Sequence, residues 1–264
     1  MAWIKRHLVA FAALAVLVYM LVPNVVVAAF SFNEPKGKFN YSFNEFSTAA
    51  WTNPCGTQGI CESLGLSLQI GLIASITAAI LGSMIAFALG RYRFRGRSAT
   101  NLLIFMPMAT PEVVMGSSLL TLFLALGVPS GEGAILIAHI MFCVSFVVVA
   151  VKARVATLDP KLEEAAADLG ANPTQTFLRV TLPLAAPGIA AGTLLAFSLS
   201  FDDYIITNFN ASPSSITFPM FVWGATARGV PVQVYVIGTV MFLLALLFVV
   251  TGQVIGKRRN RQVA

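Results

Sequence analysis

The sequence predicts an all-α integral membrane protein: one bundle of six transmembrane helices spanning residues 1–264, with both termini in the cytoplasm. Three observations carry this. Hydrophobic residues make up 57% of the 264 residues and charged residues only 11%, with a mean hydropathy of +0.82. A soluble domain carries roughly 25% charged residues, because its surface must face water. The apolar residues fall into six long runs, approximately 8–30, 64–90, 102–126, 134–151, 184–207 and 232–255, and a spanning helix needs about 20 residues. The basic residues cluster between those runs, as membrane topology requires. A cytosolic enzyme, a disordered chain and a secreted disulfide scaffold are excluded. A barrel would show alternating segments of about ten residues instead.

The first run follows Lys5 and Arg6, and Val26-Val27-Ala28 resembles a cleavage site. Its apolar stretch is longer than the 7–15 residues of a signal core, so it reads as a retained span. The polar, aromatic segment 31–63 carries Cys55 and Cys61. On the oxidising side of a membrane these two can close a short disulfide or remain thiols. The second run carries small residues in two four-residue registers, Ser67, Gly71, Ser75, Ala79, Ser83 and Ala78, Gly82, Ala86, Gly90. Such stripes let helix backbones approach closely in lipid, which marks a central helix.

In the third run, Pro107 and Pro111 predict a broken backbone, tolerated only against protein or a water-filled cavity. Glu112 lies about ten residues in, which at ~1.5 Å per residue places it near the midplane. His139 in the fourth run has no His, Cys or acid at ligand spacing and reads as a packed, hydrogen-bonded side chain; Cys143 reads as packing. The fifth run ends near Asp202 and Asp203, toward the outer mouth, and 218–227 reads as a short external helix.

Fourteen of the seventeen basic residues fall on one side of these spans: Lys5, Arg6, Arg91, Arg93, Arg95, Arg97, Lys152, Arg154, Lys161, Arg179, Lys257, Arg258, Arg259 and Arg261. Lys36, Lys38 and Arg228 fall on the other. The richer side is cytoplasmic, so both termini are as well. The same dispersal argues against nucleic-acid binding despite a net charge of +6.

The cytoplasmic loop 158–183 holds the most information. Asp159-Pro160 is a good helix start, Gly170 a natural stop, and Asn172-Pro173 with Gln175 a second start with a capping box. Two short helices joined by a Gly turn are expected, the second ending or bending at Pro183. Leu162, Ala165, Ala166 and Leu169 form an apolar stripe flanked by Glu163, Glu164 and Asp168. Such a stripe suits a partner's groove, or a helix lying on the membrane surface.

This loop resembles a known pattern. Glu164-Ala165-Ala166, three residues, Gly170, nine residues, Val180, one residue and Leu182-Pro183 match the EAA loop of ABC-importer permeases, in which Ile is commoner where Val180 stands. The resemblance runs on from about Ser67, and Thr110–Met115 with Ser200-Phe201-Asp202-Asp203 is most similar to the spermidine/putrescine branch. It implies a permease of the bacterial plasma (inner) membrane. Its EAA loop (Glu163, Glu164, Ala165, Ala166, Gly170, Leu182 and Pro183) would dock on a dimer of ATP-binding subunits. A second, related permease and an external substrate-binding protein would complete the complex. No Gly-x-x-x-x-Gly-Lys-Ser/Thr loop occurs, so ATP and magnesium would be bound by the partner. The chain itself would carry no cofactor, no metal and no catalytic residue. An ABC-importer permease for another cation or an amino acid is the first alternative; an ion-coupled secondary transporter is a further rival, but such chains usually hold two similar halves, and no repeat is evident.

Glu112, Asp202 and Asp203 are acids in or near apolar runs that contain no neutralising Lys or Arg. An ionisable group at membrane depth points to function, and this set suits a cationic substrate. Buried packing acids or a solvated helix end are the competing readings. Tyr204 and Trp223, with Phe209, Phe218, Phe221 and Trp51, are candidates for cation–π contacts; interfacial anchoring explains such residues equally well.

Overall fold

A computed structural model describes residues 2–261, with side chains described for 7–252. The side chains of Lys5, Arg6, Lys257, Arg258, Arg259 and Arg261, part of the basic count, lie outside the described residues. Among the described residues, regular structure is helical apart from one isolated bridge between Asn33 and Phe46. Two compact units form: Glu62–Met220, and Met1–Cys61 with Phe221–Ala264.

In the first unit, small residues determine which helices sit deepest. Helix α3 (Ile60–Arg91) buries Ser67, Gly71, Ala74, Ser75, Ala78, Gly82, Ser83, Ala86 and Leu89 along one face. A side chain at Gly82 would meet Val147 at 2.8 Å and the Val144 carbonyl at 3.2 Å. Contact this close requires glycine. Val147 belongs to α6 (Glu132–Ala156), the most buried of the apolar helices, which packs along α9 (Leu182–Asp202). There Gly192 lies against Ala150 and the Val147 backbone.

The third apolar run is not one helix. Helices α4 (Arg97–Ala109) and α5 (Glu112–Ala125) meet at 109°. Pro111 has no N–H to offer and disfavours the helical region for the residue before it; Thr110 and Pro111 are both extended, with ψ of 131° and 133°. The midplane depth expected for Glu112 assumed a straight helix, and the bend removes its basis. Five helices are long and apolar enough to cross a membrane, and the bent pair brings the number up to six.

In the other unit, α1 (Ala2–Phe30) packs on α12 (Val232–Arg261), with Phe30 and Tyr235 rings 6.3 Å apart. The outer face of α1 is apolar and exposed from Leu8 to Val26, as suits a helix whose solvent is lipid. The segment after α1 is ordered by Asn33, whose amide donates to the Ser42 carbonyl at 2.9 Å and whose side-chain oxygen accepts from Asn44 N–H at 2.7 Å. Trp51 in α2 (Ala49–Thr52) stacks on Phe32, 5.1 Å away. Cys55 and Cys61 form a disulfide with Cα atoms 5.4 Å apart.

Candidate functional site

The loop after α6 folds into one short helix, α7 (Lys161–Asp168). The Asp159 carboxylate accepts from Lys161 N–H at 3.0 Å, fixing its start. Gly170 closes it with φ +85°, a left-handed position that glycine adopts without strain. The capping box at Asn172 is complete: its oxygen accepts from Gln175 N–H at 2.9 Å, and Gln175 Oε1 accepts from Asn172 N–H at 3.1 Å.

The second short helix expected from the sequence is not a separate element. Helix α8 (Pro173–Thr176) does not end at Pro183; it runs through a π-helical segment, Phe177–Thr181, directly into α9. The N–H of Leu182 bonds to the Phe177 carbonyl five residues back. Pro183 has no N–H and would clash with a carbonyl of the preceding turn in a regular helix. The widened turn accommodates it, so the loop and the membrane span become one 30-residue rod.

The residues of α7 divide by direction. Glu164 and Ala165 are exposed, Ala166 is half-buried, and Leu169 is 89% exposed at its end. Glu163 turns inward instead. Its Oε1 lies 3.0 Å from Arg91 Nη2 and accepts the Thr181 hydroxyl at 2.9 Å. A cavity of ≈ 1030 Å³ lies beside them, lined among others by Phe87, Arg91, Phe177 and Thr181. Leu182 is half-buried and Pro183 exposed. Sequence reasoning counted Arg91 only toward orientation; its partner lies 72 positions away, and no local pattern signals the pair.

The acids at the other end of this unit separate in the same way. Asp202 is the last residue of α9 and is exposed. The Asp203 side chain is only 6% exposed. It accepts from Thr207 N–H at 2.8 Å, the Thr207 hydroxyl at 2.9 Å and Ile206 N–H at 3.3 Å, capping the first turn of α10 (Ile205–Asn210). His139 Nε2 stands 3.4 Å away. Asp203, expected in an open pathway, is therefore corrected to a buried corner residue. Its burial results from the helix break: residue 203 is extended, with ψ 124°, and its carboxylate folds back onto the new helix.

His139 is 1% exposed, with Nδ1 2.7 Å from the Ser200 hydroxyl and Nε2 3.0 Å from that of Thr207. With the Thr207 proton directed to Asp203, Nε2 donates to the Thr207 oxygen while Nδ1 bonds the Ser200 hydroxyl. This ties α6 to both sides of the α9–α10 corner. The separation of 64 positions between His139 and Asp203 hid the pairing from sequence reasoning.

Helix α10 packs on α5, where Gly116 faces the Phe209 ring and Ile206. That contact brings two helix breaks together. Glu112 begins α5 and is exposed. Val113 and Val114 beside it are half exposed. Tyr204 is half-buried in the same corner, whereas Trp223 belongs to the other unit, exposed on α11 (Phe218–Thr226). Two discontinuous helices with carboxylates at their breaks form the kind of element that membrane transporters use to hold ions and charged solutes.

Over 247 residues the chain is 33% identical to the spermidine/putrescine transport system permease protein PotC of Escherichia coli (strain K12), covering 94% of this chain and 93% of that one. It is 36% identical over 230 residues to the putrescine transport system permease protein PotI of the same organism, covering 84% and 81%. The fold resembles a chain in the crystal structure of a bacterial ABC transporter involved in import of the acidic polysaccharide alginate, with TM-score 0.67, 19% identity and 96% of both chains covered. Its similar proteins are transport permease subunits rather than enzymes. Residues 78–261 match the family described as binding-protein-dependent transport system inner membrane component, and the chain belongs to that family of multi-pass membrane permeases.

Proposed function

We propose that this chain is one of two permease subunits of an ATP-driven importer, and that it carries polyamines such as spermidine and putrescine into a bacterial cell. The observation that carries the substrate class is the meeting of two helix breaks that expose Glu112 and Asp202 together. A carboxylate in or beside an apolar spanning segment is by default a functional group. Two that repel one another are best relieved by a multivalent cation in transit. Likeness to two polyamine permeases supports the same reading. Tyr204 adds a ring to the corner, and Trp223 remains a candidate for cation–π contact.

The charge count supports cytoplasmic termini in the inner membrane. It puts α7 in the cytoplasm, where its exposed residues Glu164, Ala165 and Leu169 meet an ATP-binding subunit; that partner holds ATP and its magnesium. An external binding protein delivers substrate at the opposite face. Closure of the ATP-binding dimer moves α7, and the rod from Pro173 to Asp202 carries that motion across the membrane to the acid corner. The two packings of the permease pair exchange populations, and substrate passes.

The test is uptake of labelled spermidine and putrescine into vesicles holding the reconstituted complex. Glu112→Gln should raise KM for both by about tenfold, the effect of about 1.4 kcal/mol of lost interaction, with ATP hydrolysis intact. Stimulation by another solute but by neither polyamine would overturn the substrate. Failure of any ATP-binding subunit to copurify would overturn the importer itself.

A further inference from the structure

We propose that Glu163, Arg91 and Thr181 form an internal latch through which the coupling helix drives two membrane helices at once; this rests on the reading of α7 as the element that the ATP-binding subunit moves. One oxygen, Glu163 Oε1, bonds both Arg91 Nη2 at 3.0 Å and the Thr181 hydroxyl at 2.9 Å. Arg91 is the last residue of α3, and Thr181 the last of the π-helical segment that opens into α9. A single carboxylate thus fastens the coupling helix to the ends of two spans.

Three features make this a mechanical joint rather than an ornament of the surface. Helix α7 packs on α8 and the π segment, its neighbours in sequence, and the Arg91 ion pair ties it to the sequence-distant α3. Thr181 is 4% exposed, so its hydroxyl reports on the position of the rod itself. Beside it, Phe87 of α3 meets Phe177 of the π segment edge-on, with centroids 5.1 Å apart. The two spans are therefore in contact at the point where the latch holds them. An adjacent cavity of ≈ 1030 Å³ leaves room for a small rotation. Glu163 and Glu164 divide the work, since neighbours on a helix point about 100° apart: Glu164 faces outward to a partner and Glu163 faces inward to the bundle.

The latch is tested in the whole complex, reconstituted with its ATP-binding subunits, sister permease and binding protein. The readout is labelled spermidine or putrescine transported per ATP hydrolysed. Arg91→Ala should retain the ATP-binding subunits and hydrolyse ATP, and in both Arg91→Ala and Glu163→Gln transport per ATP should fall by at least about fivefold, the lower end of ordinary site-to-site coupling. Arg91→Lys should recover most of the ratio. The charge swap Arg91→Glu with Glu163→Arg should recover more than either swap alone, which a merely lost packing contact would not do. An unchanged ratio in Arg91→Ala and Glu163→Gln overturns the latch. Loss of the ATP-binding subunits from Glu163→Gln also overturns it, making Glu163 a docking residue. A wild-type complex that moves neither polyamine, or holds no ATP-binding subunit, instead overturns the function on which the latch rests, and the latch with it.

Discussion

Asp202 and Asp203 are adjacent and chemically identical, yet the structure assigns them opposite consequences. Replacing Asp203 with Ala removes an acceptor used by two backbone N–H groups and one hydroxyl. The Thr207 hydroxyl can turn to the Asp203 carbonyl, 3.3 Å away. The Thr207 N–H cannot, and Thr207 is fully buried. A lost cap costs about 1 kcal/mol and an orphaned buried donor about 1–3 kcal/mol, so the change should destabilise the chain by about 2–4 kcal/mol. Asp202→Ala should stay within about 0.5 kcal/mol, because its side chain is exposed. The assay is reversible denaturation of the purified chain in detergent, monitored by Trp fluorescence, alongside polyamine uptake by the complex. Asp203→Ala should unfold at lower denaturant, and Asp202→Ala should unfold normally but raise KM for uptake. A normal Asp203→Ala unfolding curve, or a large loss in Asp202→Ala, would refute the division of labour.

The same geometry sets two further outcomes. Gly170→Ala meets no atom within 4 Å of its new Cβ but sits at φ +85°, so it should cost only about 1–2 kcal/mol of local strain; substrate-stimulated hydrolysis should fall while global unfolding shifts little. Reducing or deleting the Cys55–Cys61 bridge should cost the unit that contains it about 2 kcal/mol, as expected for so short a loop. Mass spectrometry after alkylation should show both cysteines blocked in the native protein and free after reduction, and limited proteolysis should then cut between residues 53 and 62.

Much of this protein is legible in its sequence because bilayer physics is local. A run such as 134–151 must be a helix, since lipid cannot satisfy a free peptide group, and the small-residue registers of α3 announce close packing without reference to a neighbour. The caps at Asn172 and Gly170 arise from residues three or four positions apart. Contacts across the fold are legible only after folding. Whether Pro183 would end a helix or be absorbed into it depended on a widened turn five residues long, which periodicity does not encode. Glu163 and Glu164 look equivalent in the chain, as do Asp202 and Asp203; Arg91 in one case and His139 with Thr207 in the other determine which acid turns inward. Composition, periodicity and caps determined the class, the apolar runs and the helix ends of the loop 158–183, because each depends on nearby residues and the solvent. Tertiary structure alone decided which carboxylates remain available to a partner or a substrate, because a charge in a low-dielectric bundle is held by whatever distant group the packing brings to it.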